Sequence, residues 1–302
     1  MSKALAIIGN GLGNLIEQSV LPITAARYHS QVDIWTPRSS AEAVGILNGL
    51  SCAARIYSSN GVPPDSYDVV YTSWLMQNTH KQIRSRRVIN VPQPRANNQL
   101  SEAAHFIKFA FNRRLDVSPY CAYAPAIELP TRGQLNIALS CGSKTGEWKI
   151  KRYPHFVQLA ANLHAKFPNA NFYLLGVAAD DAVEHPAVTD LRSKYSLLET
   201  CGIIKQCDLM ISNDSGLAHA AAALRVPTLV LFGPTQVAKN TPPGAVGMSM
   251  QLACQPCQYR SKSLGTYPTT GFKCQIECLQ QLPPEAVAEQ AAQMLQNKLA
   301  AT

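Results

Sequence analysis

The residues best suited to chemistry lie in one run, Cys207-Asp-Leu-Met-Ile-Ser-Asn-Asp-Ser-Gly-Leu-Ala-His-Ala-Ala-Ala-Ala-Leu-Arg-Val-Pro-Thr-Leu-Val-Leu-Phe-Gly-Pro-Thr235. It reads as a buried strand, a sharp polar turn, an alanine-rich helix small enough to pack tightly on a sheet, and a second strand. Asn213, Asp214 and Ser215 are all N-cap types, and Gly216 lets the backbone come close to a ligand. The N–H groups of Ser215, Gly216 and Leu217 would then face outward at the positive end of the helix, which suits a diphosphate. His219 lies about one turn further in, on the side that can face the same ligand. The plainer readings stay open: Asp214 as a helix cap only, and His219 as a core histidine bonded to the sheet.

A second candidate is the turn Gly9-x-Gly11-x-Gly13, after the apolar run Ala4–Ile8. A dinucleotide fingerprint needs glycine at position 14 or 16, where Asn14 and Ile16 stand, so the spacing argues against nicotinamide or flavin. Either this is a tight strand-to-helix turn without a ligand, or it brings backbone N–H groups and a polar side chain, Asn14 or Glu17, to a substrate hydroxyl. A third candidate is Cys254, Cys257, Cys274 and Cys278, a C-x2-C followed by a C-x3-C within 25 residues. That spacing is close to a structural zinc site, and four thiolates would leave no open position, so bound zinc or iron would be architectural. Unliganded thiols and a disulfide pair are the alternatives. A fourth is the basic stretch Lys81, Arg84, Arg86, Arg87 and Arg95, which is either a solvated surface or a rim facing an anion.

Short strands are expected at Ala4–Ile8, Val32–Trp35, Val69–Ser73 and Val88–Val91, with helices at about 14–27 and 103–114. The segment 122–132, with Pro125 and Pro130, reads as a linker. The rhythm restarts with strands at Leu135–Ser140, Asn171–Leu175, Leu209–Ser212 and Thr228–Phe232, and helices at Pro154–Lys166 and Gly216–Leu224. Strands alternating with helices imply parallel sheets. The expected fold class is therefore α/β, two Rossmann-like domains facing a central cleft. Their expected extents are 1–127 and 128–302, the second carrying the Cys-rich segment 254–278. Of the 302 residues, 46% are hydrophobic and 15% charged, which excludes a disordered chain. No apolar run reaches the ~18–20 residues of a membrane span, and the first is too short for a secretion signal. A soluble, cytoplasmic protein is expected, with peripheral membrane contact still open. The net charge of +8 favours an anionic partner.

The run Asn213-Asp-Ser-Gly-Leu-x-His219, continued by Leu231-Phe-Gly-Pro-Thr235, closely resembles the signature of glycosyltransferase family nine, the heptosyltransferases. Gly11-Leu-Gly-Asn14, Lys151-Arg152-Tyr153-Pro154 and the cysteine-bearing segment resemble further parts of that family's pattern. The resemblance implies a GT-B fold and an inverting transfer of a sugar, possibly heptose, from a nucleoside diphosphate to an acceptor hydroxyl. The acceptor would be an anionic glycan of the lipopolysaccharide type. Carried over by position, Lys151 and Arg152 would meet the donor diphosphate, and Asp214, Ser215, Gly216 and His219 would line the donor site. Gly233, Pro234 and Thr235 would approach the nucleotide, and Gly11 and Gly13 would bring backbone to the donor. Where lipopolysaccharide heptosyltransferases carry an aspartate proposed as general base, this chain has Asn14, which cannot take a proton. Either Glu17, one turn on, takes that role, or the base lies elsewhere, or an unusually acidic acceptor hydroxyl needs little help. Asn14 would then only orient the acceptor by hydrogen bonding. No Asp-x-Asp motif is present, so a catalytic metal is not indicated. The alternatives are a phage-type enzyme glycosylating hydroxylated bases of DNA, a sugar-nucleotide epimerase, and an inactive binding protein.

Overall fold

The computed structural model describes residues 2–58, 61–95, 97–122, 127–129, 135–143, 146–257 and 276–300. The chain divides into two units, Met1–Tyr123 and Ala124–Thr302.

In the first unit the chain forms β1 (Lys3–Ile7), α1 (Leu12–Gln18), α2 (Val20–Ala25), β2 (Gln31–Trp35) and α3 (Ala41–Gly45). It continues with β3 (Arg55–Tyr57), β4 (Ser66–Ser73), β5 (Arg84–Val91) and α4 (Glu102–Phe111). The strands make a parallel sheet of order β3-β2-β1-β4-β5. The single helix expected over 14–27 is broken at Ser19. Pro22 has no N–H to continue the ladder, and the Ser19 hydroxyl turns back to the Ile16 carbonyl (2.6 Å). β5 extends earlier than expected because its first half carries Ser85 and three arginines instead of apolar residues. As an edge strand it keeps Arg84, Arg86 and Arg87 exposed, and charge there discourages pairing with another chain. α4 ends sooner than expected because Asn112 adopts a left-handed conformation (φ 53°).

In the second unit the elements are β6 (Leu135–Ser140), α5 (Phe156–Lys166), β7 (Ala170–Leu174), β8 (Val188–Asp190) and α6 (Leu197–Lys205). Then come β9 (Leu209–Asn213), α7 (Gly216–Ala223), β10 (Thr228–Leu231), α8 (Val237–Asn240), β11 (Val246–Met248), α9 (Glu277–Gln280) and α10 (Pro284–Ala300). Its parallel sheet has the order β11-β10-β9-β6-β7-β8. β9 is buried along its whole length, as a central parallel strand must be. One face of the sheet packs Ile137, Leu139, Leu209, Ile211, Leu229 and Leu231 against α5 and α10.

In both sheets the chain winds outward in one direction and then the other, so each has a switch point, between β1 and β4 and between β6 and β9. Ligands of such sheets bind outside the carboxyl ends of the strands at these points. Both sequence motifs are found there: the glycine turn follows β1, and the Asp214–Gly216 turn follows β9. Among the described residues no helix is long and apolar enough to cross a membrane.

Candidate donor site

The second unit's switch point is held together by Asn213, the last residue of β9. Its Nδ2 donates to the Cys141 carbonyl (2.7 Å) beyond β6, and its Oδ1 accepts the Tyr153 N–H (3.0 Å). Asn213 thus ties three segments at one point. The sequence offered it only as a helix cap; an amide closing a buried strand whose first three residues are apolar was the signal that could have found it.

Ser215 is the N-cap of α7, in an extended conformation, yet its hydroxyl makes no cap bond. It lies 2.9 Å from the Ser212 hydroxyl instead. The first turn of α7 therefore receives no cap bond from the Ser215 side chain, and the positive end of the helix suits an anion. Asp214 is not the cap of the plainer reading either. Its Oδ2 receives the Lys151 ammonium (2.8 Å), the Thr235 hydroxyl (2.7 Å) and the Asn240 amide (3.2 Å). Burial pushes its carboxyl up, but Lys151, with His219 and the Thr235 hydroxyl, more than reverses this and brings it down to about 2. Half-buried His219 is thus electrostatically linked to Asp214. Lys151, expected on the donor diphosphate, ends a 3-10 turn (Gly146–Lys151) and is paired with Asp214 in this structure.

Arg152, also expected at the donor diphosphate, is bonded within the protein in this structure. Its guanidinium is enclosed, and all three nitrogens are engaged: with Ser143, with the Ala179 carbonyl and Asp181 (2.9 Å), and with Asp180 (3.2 Å). Asp180 in turn fills the space beside Gly142 and Gly176, where a Cβ would come within 2.3 and 2.4 Å of its carboxylate. Arg152 therefore fastens the loop that carries Asp180 and Asp181.

Gly233, Pro234 and Thr235 are buried after β10. The Gly233 carbonyl accepts from the Gln255 amide, and the Pro234 carbonyl from the Cys257 N–H (2.9 Å). A Cβ on Gly233 would meet Leu279 at 2.8 Å and the Cys278 sulfur at 3.4 Å. The cysteine segments thus bracket this turn. Cys254 and Cys257 are half-buried and Cys278 is buried. Cys274 lies outside the described residues. Among the described residues no three Cys, His, Asp or Glu side chains come together as a metal-holding group. The three described thiols therefore do not by themselves meet the requirement of the expected tetrathiolate.

In the first unit, Gly9, Asn10 and Gly11 all have positive φ (137°, 75° and 101°). A Cβ on Gly9 would lie 2.5 Å from the Ser39 hydroxyl. Gly11 is the N-cap of α1, and Gly13 lies in its first turn. Asn14 donates through Nδ2 to the Asn10 carbonyl (2.7 Å), leaving its Oδ1 as the end that can accept from a hydroxyl. Buried Gln18, which the sequence reading missed, locks the turn: its amide donates to the Gly9 and Asn14 carbonyls and accepts from Ser73. Glu17 is 2% exposed, and its Oε2 accepts the Ala103 N–H (3.0 Å) at the start of α4. Its geometry is that of a helix cap, which weighs against the expected role as base. Asp33, at the centre of β2, is fully buried against Tyr67, Lys3 and Arg55.

The model of glycosyltransferase family 9 (heptosyltransferase) matches residues 73–268. A lipooligosaccharide heptosyltransferase 2 from Campylobacter jejuni (serotype O:2) is 36% identical over 113 residues, 36% of this chain and 33% of that protein. The match thus spans about a third of that relative's length. A family 9 glycosyltransferase structure from Veillonella parvula aligns with a TM-score of 0.71 at 14% identity, covering 98% of this chain and 97% of the other. The dodecameric iron-containing heptosyltransferase TibC of enterotoxigenic E. coli, solved with ADP-D-β-D-heptose, aligns with a TM-score of 0.67 at 12% identity. That match covers 99% of this chain and 76% of TibC. At such identities the structures show the fold, and it is the GT-B fold.

Proposed function

This chain belongs to glycosyltransferase family 9, and on that premise we propose that it moves a sugar, a heptose in the first instance, from a nucleoside diphosphate to a hydroxyl of an anionic, lipopolysaccharide-type glycan with inversion. The observation that carries this reading is the pairing of Lys151 with Asp214 beside the first turn of α7, which its own N-cap side chain leaves uncapped. The departing nucleoside diphosphate gains negative charge as the glycosidic bond breaks. An ammonium and a helix N-terminus are suited to stabilise it. Ser215, Gly216 and His219 complete the donor side, while Gly233, Pro234 and Thr235 shape it from behind. In the first unit, the Gly11–Gly13 turn presents Asn14, whose role is to orient the acceptor hydroxyl. ADP-heptose, bound by a structural neighbour, is the first donor to test.

A thermal-shift panel of ADP-, GDP-, UDP- and CDP-sugars tests the reading, because a ligand of the folded state raises the melting temperature by mass action. At least one should do so, and Lys151→Ala should abolish the shift. No shift with any of them removes the proposal.

A structural zinc or iron held by Cys254, Cys257, Cys274 and Cys278 belongs to the same proposal. It is supported by the cysteine spacing and by the contacts of Cys257 and Cys278 with the Gly233–Pro234 turn. Its role would be to fix that turn. Stoichiometric metal in the purified protein, with a lower melting temperature after chelation, is expected; its absence removes this part alone. A cytoplasmic location is also proposed, where the thiols would stay reduced.

A further inference from the structure

We infer that Thr235 and Asn240 are positioning residues, which orient the Asp214 carboxylate so that it holds the Lys151 ammonium in place. The inference rests on the donor-site reading above and adds two residues that act behind it.

Three segments converge on one atom. Asp214 Oδ2 takes Lys151 Nζ from the 3-10 turn (2.8 Å), Thr235 Oγ1 from the turn after β10 (2.7 Å) and Asn240 Nδ2 from the end of α8 (3.2 Å). Two of these donors are neutral, and Thr235 is only 2% exposed. A hydroxyl and an amide of fixed direction leave the carboxylate one orientation, and so give the long lysine side chain a defined partner. Asn240 supplies a second observation. Its Oδ1 is buried without a partner among the described residues, so the contact with Asp214 is what accounts for the orientation of the amide. A carboxylate requires a donor, which fixes Nδ2 as the end facing it. The charged groups acting on Asp214 are Lys151 and, from α7, His219; Thr235 and Asn240 add donors without adding charge.

The experiment compares wild type with Thr235→Val, Thr235→Ser and Asn240→Leu. Calorimetry with ADP-heptose at pH 7 should show binding weakened roughly fivefold by Thr235→Val and by Asn240→Leu, with Thr235→Ser close to wild type. Denaturant unfolding from pH 5 to pH 2 adds a readout without ligand. Asp214 is ionised in the folded protein until about pH 2, so the bonds it accepts are present at pH 5 and disappear as it protonates. The stability lost in Thr235→Val should therefore shrink as the pH falls. A loss of stability independent of pH, together with unchanged donor affinity, would mean that the two residues only pack, and overturns the inference. If wild type fails to bind ADP-heptose, the donor reading for that sugar fails, and the unfolding series still decides: a shrinking loss supports the inference, a constant one overturns it.

Discussion

Lys151 Nζ lies 2.8 Å from Asp214 Oδ2, with the two side chains only 15% and 6% exposed. They are 63 positions apart in the chain and meet at the carboxyl end of β9. Removing one partner of such a pair leaves an enclosed charge without compensation. Lys151→Ala should therefore lower stability at pH 7 by about 3–5 kcal/mol. Because the folded Asp214 carboxyl is depressed to about 2, its contribution is complete above the usual carboxylate range near ~4. It is lost as the pH falls from there toward 2. Urea unfolding of wild type and Lys151→Ala should accordingly diverge at pH 5 to 7 and converge toward pH 2. A gap that stays constant with pH contradicts the pairing.

Arg152 follows Lys151 directly but turns to Asp180 and Asp181. Arg152→Lys keeps the charge and loses the planar fork that reaches Ser143, Asp180, Asp181 and a carbonyl at once. A loss of about 2–4 kcal/mol is expected, because Asp180 is enclosed beside Gly142 and Gly176. Nucleotide-sugar affinity of the remaining folded protein should change little. A large affinity loss with intact stability would return Arg152 to the donor.

For Glu17, a cap and a base give opposite results. Glu17→Gln keeps an oxygen for the Ala103 N–H, so transfer should continue at a rate within a few fold of wild type. Glu17→Ala should lose about 0.5–2 kcal/mol of stability. A collapse of kcat in Glu17→Gln, with the melting temperature unchanged, would make Glu17 the base after all.

Gly233 is required by packing. A Cβ there would press on Leu279 at 2.8 Å, so Gly233→Ala should be destabilising by about 1–3 kcal/mol. In a Leu279→Ala background the same change should be much milder. A double-mutant cycle checks this, and additivity between the two would contradict it.

The sequence made the β9–α7 turn and the glycine turn legible because each joins a local period to residue types with a fixed conformational use. Positive φ at Gly9 and Gly11, and Ser215 at the start of α7, are local properties. What was not legible depends on contacts distant in sequence. Lys151 and Arg152 look alike as a pair of cations, and only the fold shows one facing Asp214 and the other Asp180. Glu17 sits one turn from Asn14, yet its partner is 86 positions away on α4. Gln18, Asn213 and Asn240 are ordinary polar residues until burial gives each of their hydrogen bonds a purpose. The break at Ser19 is the exception, since Pro22 announced it locally.

Sugar transfer to an acceptor leaves its mark on both products. The protein would be incubated with ADP-heptose and a deacylated, phosphorylated lipopolysaccharide-core oligosaccharide, followed by mass spectrometry and proton NMR. Expected are an acceptor heavier by one heptose, equimolar ADP, an anomeric configuration opposite to that of the donor, and no product with Lys151→Ala. Donor turned over equally well without acceptor, or a product with retained configuration, would contradict inverting transfer.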